Sequence, residues 1–338
     1  GEYMNGNSIA VEIHEQIADM LKYLVMNDRI VHAYLFAGDK GMGKKDLARF
    51  FAHSLVCFSP DFNGACNVCP ACRLFLNSTN ADCRETEPEG SSIGVDQIKK
   101  LFEDVNVKPL YSKRKVYSIF EADKMTVQAQ NSLLKILEEP PRHVVILLTA
   151  SNYESLLDTV KSRVVRINIK PVSPKIIFEQ LAAYRQDENY KYFVSLFSGG
   201  NPGKAKIMME SEKLILLRHE IIEGLYQIVE NKTTSLVSVN NLQKIIFENK
   251  EDIEFILEVM TTFARDVIVA LTCAQNPVLI NYDKKGIIFE SAKRLNLYSM
   301  IAFTDTIYDM FVKLKRNVNF QLLAEVVFAT IMEVLTDD

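Results

Sequence analysis

The sequence predicts an α/β fold, a parallel sheet with helices on both faces, followed by a long helical C-terminal part. Three observations carry this. The apolar run from Ala33 to Ala37 leads through a glycine-rich turn into helical periodicity. Further stretches, Val116 to Phe120, Val144 to Thr149 and Val164 to Ile169, read as strands that alternate with helices, which implies a parallel sheet with helices on both faces. From Pro174 onward the apolar period is almost wholly that of helices.

In order, Ile13, Ile17, Leu21 and Leu24 place one helix over Ile9 to Met26, ahead of the first strand. After the turn, Leu47, Phe50, Phe51 and Leu55 form one face of a second helix that ends near Cys57. A Gly/Pro/Asn-rich segment with three more cysteines follows, then a polar stretch from Glu85 to Ser92. Asp96 is placed to cap a helix through about Val105. Thr126 caps a helix that Pro140-Pro141 stops near Glu139. The breaker cluster Gly199-Gly-Asn-Pro-Gly203 closes a small helical unit. Ile253, Ile256, Leu257, Met260, Phe263, Ala264 and Val267 then line one helical face, and Glu325 to Leu335 reads as a further helix. At 338 residues two or three domains are expected. The division read here is 1–170 for the α/β domain with a cysteine module at 57–72, 171–209 for a small helical domain, and 210–338 for a larger helical one.

Hydrophobic residues at 48% with 24% charged residues suit a globular protein with a substantial core. A net charge of −4 gives no global basic field for nucleic acid. No apolar run approaches the roughly 20 residues needed to span a bilayer, and no leader peptide is read at the N-terminus. A cytoplasmic, membrane-free protein is expected.

Gly38, Gly43 and Lys44 fit the frame G-x-x-x-x-G-K of a phosphate-binding loop, with Gly41 inside it. Glycines there let backbone N–H groups curl round phosphate oxygens at a helix N-terminus, and the Lys adds a point charge. The next position should be a Ser or Thr that holds magnesium; here it is Lys45. In P-loop ATPases the strand equivalent to Val116–Phe120 ends in an Asp for magnesium, often followed by a Glu. Here the pair is Phe120-Glu121. Both protein handles on the metal are thus replaced, and no intrinsic ATPase is expected. Glu121 taken by itself reads first as a solvated carboxylate.

Cys57-x8-Cys66-x2-Cys69-x2-Cys72 brings four thiolates into sixteen positions. Two x2 spacings make a tight knuckle, and four sulfurs close a tetrahedral zinc site with no open position. Such a site is structural. Cys83 and Cys273 have no partner by spacing and read as buried thiols. Thr159-Val-Lys-Ser162-Arg163 offers an Arg before the last strand; from the residues alone it reads as a surface Arg.

The phosphate-loop frame behind His32-Ala-Tyr-Leu-Phe, the four cysteines, Asn131-Ser-Leu-Leu-Lys-x2-Glu138-Glu-Pro-Pro and Ser162-Arg163 resemble the bacterial clamp-loader family of AAA+ proteins. The resemblance covers most of the first 205 residues, through Gly199-Gly-Asn-Pro-Gly-Lys204. It is thinner beyond, where Asn317-Val-Asn319 looks like a short signature. Val164 departs from the family pattern, which often has Cys there. The resemblance implies a RecA-like P-loop domain, a small helical lid and an all-α collar used for oligomerisation. It implies a subunit of the DNA polymerase III clamp loader. The ATPase subunits (tau/gamma) and the delta subunit are implied as partners, with the sliding clamp and primed DNA met through the complex.

Within that family, eroded magnesium positions with a retained Ser162-Arg163 resemble the non-hydrolysing, stator type. Arg163 is then implied as an arginine finger offered in trans to a nucleotide on a neighbouring subunit. Gly38, Gly41, Gly43, Lys44 and Lys45, with Glu121, are implied to be a remnant site with no secure hold on ATP or ADP. The alternative is an active ATPase of the tau/gamma type, against which Lys45 and Phe120 stand. A zinc-bound reader of nucleic acid fits less well, because no basic, aromatic-interleaved finger is present.

Overall fold

The computed structural model describes residues 9–184, 186–230, 235–273, 277–314 and 329. The expected helix at Glu325 to Leu335 and the Asn317-Val-Asn319 signature lie outside the described residues. The chain divides into two compact units. One holds the described residues up to Gln180 together with Gly200–Lys204, and the other holds Leu181–Gly199 and those from Ala205 onward.

In the first unit the order is α1 (Ile9–Ile13), α2 (Glu15–Met26), β1 (Ala33–Ala37), α3 (Lys44–Val56), α4 (Pro70–Leu76), β2 (Cys83–Thr86), α5 (Val95–Leu101), β3 (Lys115–Ile119), α6 (Val127–Glu138), β4 (Val144–Ala150), α7 (Asp158–Lys161), β5 (Val165–Asn168) and α8 (Pro174–Gln180). All strand pairs are parallel, in the order β2-β3-β4-β1-β5. Leu35 of β1 is level with Leu148 of β4 on one side and with Arg166 of β5 on the other.

Period-2 alternation sorts each inner strand onto two cores. Tyr34 and Phe36 join Leu47, Phe51, Val116, Phe120, Val145 and Leu147 on one face. Ala33 and Leu35 join Tyr117, Ile119, Leu133, Leu137, Ile146 and Leu148 on the other. Both faces are covered, which is why β1, β3 and β4 are buried along their whole length. β1 continues through α3 to the β2 edge, whereas β4 continues through α7 to β5 on the opposite side. The order therefore reverses between β1 and β4, and a crevice opens at their carboxyl ends, the usual place for a ligand in such sheets.

Several boundaries differ from those expected. The first helix breaks at His14, whose buried ring contacts the Met42 carbonyl at 3.0 Å and pins the break to the glycine-rich turn. Asp96 does not cap α5: Gly94 is the N-cap, and the Gln97 side chain accepts from its N–H at 3.0 Å. That helix ends at Leu101, short of Val105. Thr126 does cap α6, its Oγ1 accepting from the Ala129 N–H at 3.2 Å.

In the second unit run α9 (Glu188–Phe197), the larger part of α10 (Pro202–Glu210), α11 (Glu212–Glu230), α12 (Ser235–Glu248), α13 (Ile253–Thr272), α14 (Lys285–Ala292) and α15 (Leu297–Leu314). The expected face of α13 is buried from Ile256 to Val267. It also carries Asp266, fully buried, whose carboxylate accepts from the N–H groups of Ile280 and Asn281 at 2.9 and 2.6 Å. Buried Arg218 of α11 makes a two-pronged pair with Asp283, both contacts at 2.7 Å, and lies 3.4 Å from the Phe193 ring centre. Each buried charge is matched, the condition for tolerating it in a core.

Candidate functional site

The glycine-rich turn occupies the β1/β4 crevice. Gly41 and Gly43 have φ of +87° and +78°, a region that L side chains rarely enter. A Cβ on Gly43 would also stand 2.4 Å from the Ala10 Cβ. Lys44, the first residue of α3, is buried, and its ammonium is fully engaged. It donates to the carbonyls of Gly38 and Asp39, both at 2.7 Å, and to Ser151 Oγ at 3.0 Å across the crevice. Burial pushes its pKa down, with the carboxylates of Asp123, Asp39 and Glu121 pulling the other way. The Gly200–Lys204 segment lies against the same turn. Asn201 Nδ2 donates to the Lys40 carbonyl at 2.7 Å and the Gly203 N–H donates to the Gly41 carbonyl at 3.0 Å.

Lys45 points to the other side of the loop. Its ammonium pairs with Glu87 at 2.5 Å and sits over the Phe120 ring, 4.8 Å from the centre. Lys45 donates a hydrogen bond to the Glu87 carboxylate, and this holds that carboxyl below its ordinary pKa. Arg49, one helical turn on, lies over the same ring at 5.2 Å and grips Glu85 through two nitrogens. The two positions that in a P-loop ATPase hold magnesium thus carry an ammonium and an aromatic face, with the Arg49 guanidinium beside them.

Glu121 follows β3 in the left-handed region, φ +54°. Its N–H donates to Thr149 Oγ1 at 2.9 Å, and its carboxylate is taken by Lys124 at 2.7 Å. Asp123 was not singled out from the sequence. One of its oxygens accepts from the Asn152 N–H at 3.1 Å, while the buried Oδ1 has no partner among the described residues. Thr149 and Ser151 were missed likewise; the available signal was their place at the carboxyl end of β4.

Arg163 lies away from this loop in its contacts. Its Nη1 donates to the Thr159 carbonyl at 2.9 Å and to Ser162 Oγ at 3.2 Å, and its Nη2 pairs with Glu138 at 2.9 Å. Ser162 Oγ in turn donates to the Thr159 carbonyl at 3.1 Å. The platform beneath is tied together by hydrogen bonds. Buried Gln130 of α6 donates to the carbonyls of Met125 and Ser155 and accepts from the Leu157 N–H at 2.8 Å, which ties α6 to the start of α7. Arg163 itself lines an open hollow together with His32, Leu137, Glu138, Ser162, Val164 and Val165.

The four clustered cysteines meet. Cys57 is the C-cap of α3 and Cys69 the N-cap of α4, with Pro70 at its first position. Asn67, at φ +61°, turns the knuckle between Cys66 and Cys69. All four sulfurs lie within 4.8 Å of one another, and Cys66 and Cys72 are 3.9 Å apart. Sulfurs at ~2.3 Å from one tetrahedral ion stand ~3.8 Å apart, so the set fits zinc. Backbone N–H groups of Cys66 and Cys72 donate to the sulfurs of Cys57 and Cys69 at 3.3 and 3.5 Å. Burial opposes ionisation of Cys66, but N–H donors from Val68 and Cys69, together with the Cys57 and Cys69 thiols, outweigh it and bring that thiol down to about 7. Four cysteines that could hold a metal, compatible with structural zinc, are therefore in place. Cys83 is partly buried, and burial raises its pKa, whereas Cys273, expected to be buried, is exposed at the end of α13.

Strand order, glycine-rich turn and crevice define a P-loop protein of the AAA+ type. The family described as DNA polymerase III, delta subunit, matches residues 13–173. The chain is 30% identical over 321 residues to DNA polymerase III subunit delta′ of Bacillus subtilis, spanning 93% of this chain and 94% of that protein. It is 35% identical over 205 residues to the delta′ subunit of Pseudomonas aeruginosa, spanning 60% of this chain and 62% of that one. With subunit tau of Bacillus subtilis it shares 33% identity over 163 residues, 48% of this chain and 29% of that protein. The chain belongs to the DNA polymerase III subunit delta′ family, within the clamp-loader family its motifs resemble. Among the described residues no helix is long and apolar enough to cross a membrane.

Proposed function

We propose that the chain is the non-hydrolysing stator of a DNA polymerase III clamp loader. The observation that carries this is the Lys45 ammonium held by Glu87 over the Phe120 ring. A metal-bound nucleotide needs a hydroxyl and a carboxylate at those two positions. A cation and a ring in their place repel magnesium and offer it no oxygen. Gly38, Gly41, Gly43, Lys44 and Glu121 are then a remnant, with the Lys44 ammonium spent on its own loop.

Arg163, with Ser162 beside it, is offered in trans to the nucleotide of a neighbouring tau/gamma subunit as an arginine finger. Its place on the firm α6–α7 platform supports this, because a finger works by arriving pre-organised. Cys57, Cys66, Cys69 and Cys72 hold a structural zinc. The chain works in the cytoplasm beside the tau/gamma and delta subunits and reaches the sliding clamp and primed DNA through them. Its domains are the P-loop domain at 1–170, a lid at 171–209 and a collar at 210–338.

The test is Arg163→Ala in a reconstituted loader. The one motor site facing this chain should lose ATP turnover by roughly 10³ or more, as removal of a finger does elsewhere. Unchanged turnover would remove Arg163 from the role.

A further inference from the structure

We propose that Glu138 is a positioning residue for Arg163. This rests on the finger reading above and adds to it the group that aims the finger. Arg has a long, rotamer-rich side chain, so an exposed one reaches a neighbouring phosphate from many directions. Arg163 is only a third exposed and is held from two sides. On one side the Thr159 carbonyl and Ser162 Oγ take Nη1 at 2.9 and 3.2 Å. On the other, the Glu138 carboxylate forms an ion pair with the guanidinium, Oε1 lying 2.9 Å from Nη2.

These anchors differ in kind. Thr159 and Ser162 belong to the same short stretch as Arg163 and move with it. Glu138 is the last residue of α6 and ties the guanidinium to a different element. α6 begins just after the turn that carries Glu121 to Lys124, and Gln130 fastens it to the loop before α7. Pro140 and Pro141 follow after Glu139, so the chain leaves the helix at this point and Glu138 stays at its end. Arg163 Nε has no acceptor among the described residues, so the fork keeps donor capacity for phosphate oxygens while its plane is fixed. A single-point contact from Glu138 steers without occupying the whole fork, as a two-pronged pair would.

The carboxylate therefore lowers the entropic cost of presenting Arg163 and acts in the transition state rather than on nucleotide binding. The experiment compares the loader reconstituted with wild-type chain, Glu138→Gln, Glu138→Asp, Arg163→Ala, and Glu138→Gln with Arg163→Ala together. Steady-state ATP turnover is read as kcat and KM, with the unfolding midpoint of each chain as control. The part of turnover lost in Arg163→Ala is the finger's share. Glu138→Gln should cut that share about three- to tenfold with KM for ATP unchanged, and Glu138→Asp should recover part of it. The double variant should be no worse than Arg163→Ala alone. Wild-type or raised turnover in Glu138→Gln, alongside a loss in Arg163→Ala, would overturn the proposal and leave the finger standing. An additive loss in the double variant would overturn it too. No loss in Arg163→Ala would instead overturn the finger reading, and with it this one.

Discussion

The Lys45 ammonium stands 4.8 Å from the centre of the Phe120 ring. Each replaces a residue that P-loop ATPases use to hold magnesium, so the two substitutions are in contact and compensate one another. Lys45 in front of an intact Asp would have formed an ion pair, and Phe120 in front of an intact Thr would have left an apolar ring facing an empty metal position. Together they make a cation–π contact, rimmed by Glu87 and by the Arg49–Glu85 pair.

A double-mutant cycle measures that coupling. Lys45→Met and Phe120→Leu, alone and combined, should give an interaction energy of about 0.5–1 kcal/mol by urea unfolding, the range for a cation over an aromatic face at a half-exposed site. Strict additivity would mean that ring and ammonium are neighbours without interacting.

Metal content tests the cysteine cluster. The chain purified without chelator should carry one zinc ion, and a strong chelator should speed amide exchange between Cys57 and Cys72, because binding free energy there is folding free energy. Cys66→Ser should weaken the hold on the ion. Native protein free of metal would contradict the assignment.

His53 supplies a pH signature. Its ring lies flat on Phe75 at 4.4 Å, its Nε2 is buried with no partner among the described residues, and burial brings its pKa down to about 4. An unfolded His titrates near 6.5, so between about 6.5 and 4 the unfolded chain binds the extra proton. Stability is therefore complete above pH 6.5 and falls as the pH drops toward 4, by roughly 3 kcal/mol at the end of that window. His53→Leu should flatten this part of the stability–pH curve. A variant with the same acid slope as wild type would assign the loss to carboxylates instead.

Long apolar runs and glycine spacing made the sheet legible before any coordinates, because strands covered on both faces need every residue apolar. β2 was missed for the opposite reason. Cys83–Thr86 is a four-residue edge strand with no fully buried residue, and its Arg and Glu read as a polar stretch. The helix α4 was hidden inside the cysteine knuckle, where Pro70 reads as a breaker until it is seen at the first helical turn. The helix break at His14 needed the Met42 carbonyl, a contact no local pattern encodes. Lys45, Phe120 and Arg163 were each visible as residues. What the sequence could not display was pairing across long separations: Lys45 with Glu87 and Phe120, and Arg163 with Glu138.

The most direct test of the account is ATP hydrolysis by the purified chain alone in excess Mg²⁺. With Lys45 and Phe120 at the magnesium positions, turnover should not rise above the blank, and adding Mg²⁺ should not tighten any residual nucleotide binding. Robust, Mg²⁺-dependent hydrolysis by the isolated chain would contradict the stator reading and make it an ATPase in its own right.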